Sequence, residues 1–430
     1  MPSRGRIPGP RCRVSRRTAL LAATALLVSI LLLTLWPLPE QAYRASLSPI
    51  SCLVCGDQGM QDVIQNVIML LPLGLMFGLA GVRPGRAALA GFCLAFLIET
   101  LQYFVVPGRD ASASDVLTNT AGTWLGALLA PRLPLLMRPG REAAARLAIA
   151  AVLAWAGAWV FGAWAIGGNV GSGNWRGRAP NDLPDAPAFS GEVAEVSMDG
   201  VPLRLAPADL PRRVEEAFAR DSFVIEGVVR PQAPAAPREN LVTIIDVSRN
   251  GGTEFNNLVV VFNRATKRGV VGFRINAARL RLRTPQFNFG TMFDVPDGGS
   301  VRFRVLRAGG ALRGTAEGDR KPLVTEFRLG PELLWSELLP RTPRPTMLWS
   351  VESFLWGAVL LGLAGYWGLR SARISVVLIA LVISVAGQLA VPLYFPVARQ
   401  SLLGWLMLMG GLVLGAVIGR RTKPPSPLHP

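Results

Sequence analysis

A chain dominated by apolar residues carries a set of polar side chains whose types and spacing suit acid–base or headgroup chemistry. Asp62, Gln65 and Asn66 open one apolar run. Glu99 and Gln102 lie late in the next, Arg109 and Asp110 follow it, and Asp115 and Asn119 open a third. On helices, Asp62/Asn66 and Asp115/Asn119 are i,i+4 pairs and Glu99/Gln102 is an i,i+3 pair, so each pair shares one helix face. Two neighbouring carboxylates shift each other's proton affinity and can act as general acid and base, which makes Glu99 and Asp115 the catalytic candidates. The full set Asp62, Asn66, Glu99, Gln102, Arg109, Asp115 and Asn119 offers acceptors, amides and one cation to a polar ligand. The competing reading is that these groups only hold helices together, as polar residues in membranes do.

Other chemistries lack their residues. The single histidine is His429, near the C-terminus, which excludes Ser-His-Asp and Cys-His catalysis and any histidine-based metal site in the remainder of the chain. There is no glycine loop for phosphate, so no cofactor and no metal are expected. Cys52-x-x-Cys55 precedes the polar cluster and reads as a local disulfide in an oxidising compartment. Cys12 and Cys93 lie elsewhere in the chain.

The elements that must position the cluster are membrane helices. Half of the 430 residues are apolar and 17% are charged. Eight apolar runs, Ala19–Leu38, Val63–Val82, Ala87–Val106, Val116–Leu136, Leu147–Ile166, Met347–Leu369, Ile374–Tyr394 and Ser401–Gly419, are each near the roughly 20 residues that span about 30 Å of hydrocarbon. Arginines crowd the N-terminus (Arg4 to Arg17), Arg83–Arg86, the stretch from Arg132 to Arg146, Arg370–Arg373 and the tail from Arg420 to Lys423. By the positive-inside bias these segments are cytoplasmic, so both termini are expected in the cytoplasm of a bacterial inner membrane. The net charge of +17 thus follows membrane orientation and not a basic stripe on a soluble face, and nucleic acid is excluded as a partner. The expected organisation is a basic N-terminus (1–18), a four-helix membrane domain (19–136), a fifth helix (147–166), an extracytoplasmic insert (168–345), three C-terminal helices (347–419) and a tail (420–430). In this topology the polar ends of helices two, three and four meet at the outer surface, with Glu99 roughly 8–10 Å below it. Gly74-x-x-x-Gly78 and Gly122-x-x-x-Gly126 are small-residue faces that let helices approach closely. They are expected to draw helix four against a neighbour and Asn119 toward Glu99.

At these residues the chain resembles the VanZ-like family. The matching pieces are Asn66 with Pro72-Leu73-Gly74, then Glu99-Thr100-Leu101-Gln102, then Arg109, then Asp115-x-x-x-Asn119-x-x-Gly122, within residues 20–135. Many members place an acidic residue just before the Asp, where this chain has Ser114. The resemblance implies an envelope membrane protein, and the founding member is associated with low-level resistance to the glycopeptide teicoplanin. A membrane lipid or envelope glycan is then the expected partner. A membrane enzyme acting on a polyprenyl- or glycan-linked substrate is the alternative, and a small transporter a third.

Between Gly168–Gly173 and Pro340–Pro345, two linker-like segments, the period changes to two. Phe223–Val229, Leu241–Val247, Leu258–Phe262, Val270–Ile275, Leu280–Arg283 and Val301–Val305 read as strands of an all-β sandwich. Their order resembles a concanavalin-like (LamG-type) jelly roll, which implies a carbohydrate or protein ligand. Asp246, Asn250, Glu254 and Asn256 read as turn residues in preference to calcium ligands. Alternating arginines (Arg279, Arg281, Arg283; Arg302, Arg304) are expected to form strand faces, solvated or facing anionic glycans or headgroups.

Overall fold

A computed structural model describes residues 15–37, 59–106, 111–168, 175–178, 191–203, 210–231, 241–249, 257–264, 268–296, 298–318, 322–338 and 346–422. The chain divides into two compact units, Met1–Ala143 and Ala144–Pro430. Cys52, Cys55, Arg109, the turn from Asn250 to Asn256 and the Pro340–Pro345 segment lie outside the described residues.

The first unit is helical: α1 (Arg16–Thr34), α2 (Gly59–Leu79), α3 (Pro84–Phe104), α4 (Ala113–Leu129) and a short α5 (Leu133–Met137). Ser15 caps α1 by accepting from the Thr18 amide, and Pro84 opens α3, where its missing N–H costs nothing. Ala23, Ile30, Leu70, Leu73 and Ile98 form the buried centre shared by α1, α2 and α3. The glycine faces have a definite destination. A Cβ on Gly74 would fall inside the Thr123 backbone, one on Gly126 inside the Leu71 carbonyl, and one on Gly122 against Val67. Helix α4 therefore lies along α2 at backbone contact. The single fourth run to Leu136 breaks: Pro131 sits in a 3-10 turn, Ala130–Arg132, and α4 stops after 17 residues.

The second unit holds α6 (Arg141–Ile166), a β region that includes one helix, α7 (Leu210–Ala219), and three further long helices. Among the described residues, eleven strands form two antiparallel sheets. One runs β1 (Trp175–Arg178), β5 (Leu241–Arg249), β6 (Asn257–Arg264), β7 (Gly269–Phe273), β8 (Gln286–Asn288). The other runs β11 (Leu323–Arg328), β10 (Ala311–Glu317), β9 (Val301–Ala308), β4 (Ser222–Pro231), β2 (Gly191–Met198), β3 (Val201–Pro202). Phenylalanines join them face to face: Phe223 of β4 meets Phe273 of β7, Phe287 of β8 meets Phe327 of β11, and Phe289 also meets Phe327. Strand β9 shows the expected alternation, with Val301, Phe303 and Val305 buried and Arg302 and Arg304 exposed.

One strand assignment is corrected. Residues Asn276–Leu280 form a 3-10 helix, and Arg281 follows in the left-handed region at φ 53°. Arg279, Arg281 and Arg283 therefore belong to a turn and not to a strand face. The Arg304 side chain of β9 lies 3.9 Å from Glu226 across the sheet.

The β region is fastened to the helices at Gly168, while the remainder of the Gly168–Gly173 segment lies outside the described residues. The Gly168 amide donates to the Asp221 carboxylate at 2.5 Å, and Arg307, with no exposed surface, bonds both Asp221 and the Ile166 carbonyl at the end of α6. Burial pulls the Arg307 guanidinium down to about 10, and the Asp221 charge opposes that shift, so Arg307 is a cation at neutral pH. Asn276 donates through its side chain to Trp164 O at 3.0 Å and through its amide to Gly167 O at 2.8 Å. On the far side, the Ala398 amide reaches Leu329 O at 2.9 Å. A small helix, α8 (Glu332–Glu337), packs on α9 (Thr346–Arg370), and a Cβ on Gly162 of α6 would collide with the Pro331 carbonyl.

The remaining helices are α10 (Ile374–Tyr394) and α11 (Leu402–Arg421). Glycines also join α9 to α11: a Cβ on Gly411 would collide with Ala358, one on Gly415 with Gly362, and one on Gly419 with Tyr366. Among the described residues, α1, α2, α3, α6, α10 and α11 are long and apolar enough to cross a membrane. Helix α4 falls short in length at 17 residues, and α9 is the other long helix, its first side chains outside the described residues. Helix α4 packs along the longer α2, and α9 packs along α11. The chain is a multi-pass helical membrane protein with a separate antiparallel β region.

Candidate functional site

The polar cluster gathers around the N-terminus of α4. That terminus is built by Ser112, which stands in extended backbone and accepts from the Ser114 amide at 3.1 Å. The first turn of any helix leaves N–H groups without partners and carries partial positive charge. Two carboxylates answer it. Glu99, projecting from α3 and 8% exposed, accepts the Ser112 amide at 2.7 Å. Asp115, in the first turn itself, accepts from the Asn66 side chain of α2 at 2.8 Å.

The carboxylates also lie within electrostatic reach of one another, Asp115 beside Glu99 and Asp62 beside Asp115. Asp62 is exposed, while Gln61 next to it is fully buried. Gln102, one turn beyond Glu99, donates to the Thr34 carbonyl at 2.9 Å. Thr34 is the last residue of α1, so this bond satisfies a carbonyl that its own helix leaves open. Four helices thus contribute to one region.

Asn119 lies one turn below Asp115 and is 3% exposed. Its Oδ1 is buried without a hydrogen-bond partner among the described residues. Packing puts it there: Gly122 sets its helix against Val67, and the Thr123 hydroxyl bonds back to the Asn119 carbonyl at 3.0 Å. An unmatched buried amide oxygen costs roughly 1–3 kcal/mol, so the interface holds an acceptor that a hydroxyl or amine donor would satisfy. Among the described residues no group of three His, Cys, Asp or Glu side chains is arranged to hold a metal ion.

Of the residues singled out by spacing, Asn66, Glu99 and Asp115 come together directly, and Asp62 flanks them. Gln102 turns to the end of α1, and Asn119 is buried against α2. Arg109 and the Cys52/Cys55 pair fall outside the described residues. The chemistry offered is that of acceptors: carboxylates and an amide oxygen beside a helix N-terminus. Reading by sequence missed Ser112 and Thr34. Ser112-x-x-Asp115 has the capping-box pattern that marks a helix start, so Ser112 was within reach. The Thr34 carbonyl carries no signal in its side chain.

Residues 21–136, which contain α1 to α4 and the cluster, match the family model described as VanZ/LLP1. No curated protein and no solved structure matches the chain. This four-helix part, well under half of the chain, is a VanZ-like domain.

Proposed function

We propose that the VanZ-like domain binds the polar head of an envelope lipid or glycan at the extracytoplasmic surface of a bacterial inner membrane. Arginine placement supports this orientation, with the termini and even-numbered loops inside. The observation that carries the reading is the buried, unmatched Asn119 Oδ1, one turn below Asp115 on α4. Acceptors of this kind suit sugar hydroxyls or amines, and Arg109 in the adjoining loop would supply a cation for a phosphate. The β region, read as a concanavalin-like sandwich, would hold the glycan portion, and tolerance of glycopeptide antibiotics would follow from altered access to envelope precursors.

The test compares lipid and glycan-lipid profiles, with teicoplanin sensitivity, in a deletion strain complemented by the wild type, Asn119→Leu or Asp115→Asn. Loss of complementation by correctly inserted variants supports the reading. Full complementation by both removes it.

A second reading has its own support. Asp115 and Glu99 lean on the same helix end, so two carboxyl groups stand ready to divide acid and base roles. The domain would then be an enzyme acting on a polyprenyl- or glycan-linked substrate, with Glu99 and Asp115 as acid and base. Accumulation of an uncleaved or untransferred lipid intermediate in the Glu99→Gln strain separates catalysis from binding.

A further inference from the structure

The second unit holds an apolar cleft that the VanZ-like domain does not share. Helices α6 and α10 touch near their starts, where Ala145 and Ala148 pack on Val376 together with Trp367. Farther along, both helices line a common cleft. Trp155 and Trp159 stack on one another, and Trp159 turns to Trp356 of α9, so indole rings occupy one side of α6. Opposite them α10 presents Gly387, where a Cβ would lie 3.2 Å from the Trp155 ring, flanked by the small residues Ala386 and Ala390. The result is a cleft of about 410 Å³ lined by Ala156, Trp159, Val160, Ile383, Gly387 and Ala390, with Tyr394 and Phe395 at one end. Its exposed lining is wholly apolar, and both helices are of membrane-spanning length and hydropathy. In that setting the surrounding solvent is hydrocarbon chain.

The same end of α6 carries a second feature. Asn276 bonds Trp164 O and Gly167 O where α6 finishes. Three to five residues later, Arg279, Leu280 and Arg281 form an exposed turn, with Leu280 41% exposed between the two arginines. A leucine flanked by cations at the exit of a membrane helix fits the interfacial layer, where apolar side chains enter the acyl region and guanidinium groups meet anionic headgroups.

We propose that the cleft between α6 and α10 holds one acyl chain of an anionic glycerophospholipid whose phosphate lies against Arg279 and Arg281. The β region, fastened to α6 through Gly168, Asp221 and Arg307, then sits over a bound lipid. The occupant is named by complementarity at both ends: hydrocarbon for the cleft and negative charge for the turn. This site is independent of the polar cluster around α4.

The test uses the full chain in phosphatidylcholine nanodiscs with a minor fraction of phosphatidylglycerol carrying a diazirine in one acyl chain. After irradiation, adducts are mapped by mass spectrometry. Adducts are expected on Val160, Ile383 and Ala390 at several-fold the yield on Leu389 and Leu393, which face outward from α10. The same diazirine in phosphatidylcholine should label the cleft more weakly by roughly 5-fold per arginine. Arg279→Gln with Arg281→Gln should erase that preference while leaving the labelling of the outward face of α10 unchanged. Ala390→Phe should fill the cleft and remove the adducts. Equal labelling of the cleft and the outward face overturns the proposal. Equal labelling by the two lipids in the wild type overturns it as well. Displacement of phosphatidylglycerol by an equimolar polyprenyl phosphate contradicts the glycerophospholipid assignment.

Discussion

At the scale of single residues, burial decides what each charged group does. Arg307 has no exposed surface and its charge is matched by Asp221. Asp221→Ala leaves the guanidinium buried and uncompensated, a change that costs roughly 3–5 kcal/mol in comparable pairs. The double variant Asp221→Ala/Arg307→Met should cost much less, and thermal unfolding of the three proteins in detergent checks both values. Glu332 behaves differently. Burial raises its pKa from 4.5 to about 7, with nearby Arg328 opposing the shift, and its Oε2 has no hydrogen-bond partner among the described residues. The folded state therefore holds its proton more tightly than the unfolded chain. Stability from this group is highest below pH 4.5 and falls as pH rises toward 7, by roughly 3 kcal/mol at most. Glu332→Gln should flatten that decline between pH 5 and 8, read as the difference in melting temperature from the wild type. Neither group was legible from sequence, because an arginine in an alternating strand and a glutamate after a proline look like surface residues. Glu99 was legible as a buried carboxylate. Its partner, the Ser112 amide, was not, since a backbone donor leaves no mark in the side-chain types.

Among the elements, glycine spacing proved more informative than hydropathy. The two Gly-x-x-x-Gly faces meet each other, placing α2 and α4 at backbone contact and Asn66 within 2.8 Å of Asp115. The neighbour that α4 finds is thus α2, while Glu99 arrives from α3. Gly126→Val should force the pair apart, costing about 1–3 kcal/mol or more from overpacking, whereas Gly85→Val, where a Cβ meets nothing within 4 Å, should leave the melting temperature within about 1 °C of the change expected from β-branching alone. Strands with clean alternation, such as those at β4 and β9, were found from their period. The Leu280–Arg283 alternation failed because Leu282 is buried while Leu280 is exposed, so its apolar residues never shared a face. The fourth helix was read too long because Pro131 lies among leucines that kept the run apolar after the helix had ended.

Across the whole molecule, the sequence divided apolar from alternating segments well enough to separate helices from the β region. It did not show that the β region is fixed to its helices, because the bonds from Gly168, Asn276 and Ala398 each use a backbone atom of a distant segment. The proposed topology rests on arginine placement, and it predicts that reporter fusions after Gly168 and Pro345 read extracytoplasmic while one after Leu369 reads cytoplasmic. A cytoplasmic signal at Gly168 would turn the polar cluster to the wrong face of the membrane. The central claim is that this cluster serves a ligand and does more than join helices. Its most direct test is Glu99→Gln, which keeps an oxygen to accept the Ser112 amide while removing the charge. The variant is purified for thermal unfolding and expressed in the deletion strain for lipid profile and teicoplanin sensitivity. The account predicts a melting temperature close to the wild type with loss of complementation. A variant that is equally stable and complements fully would contradict it.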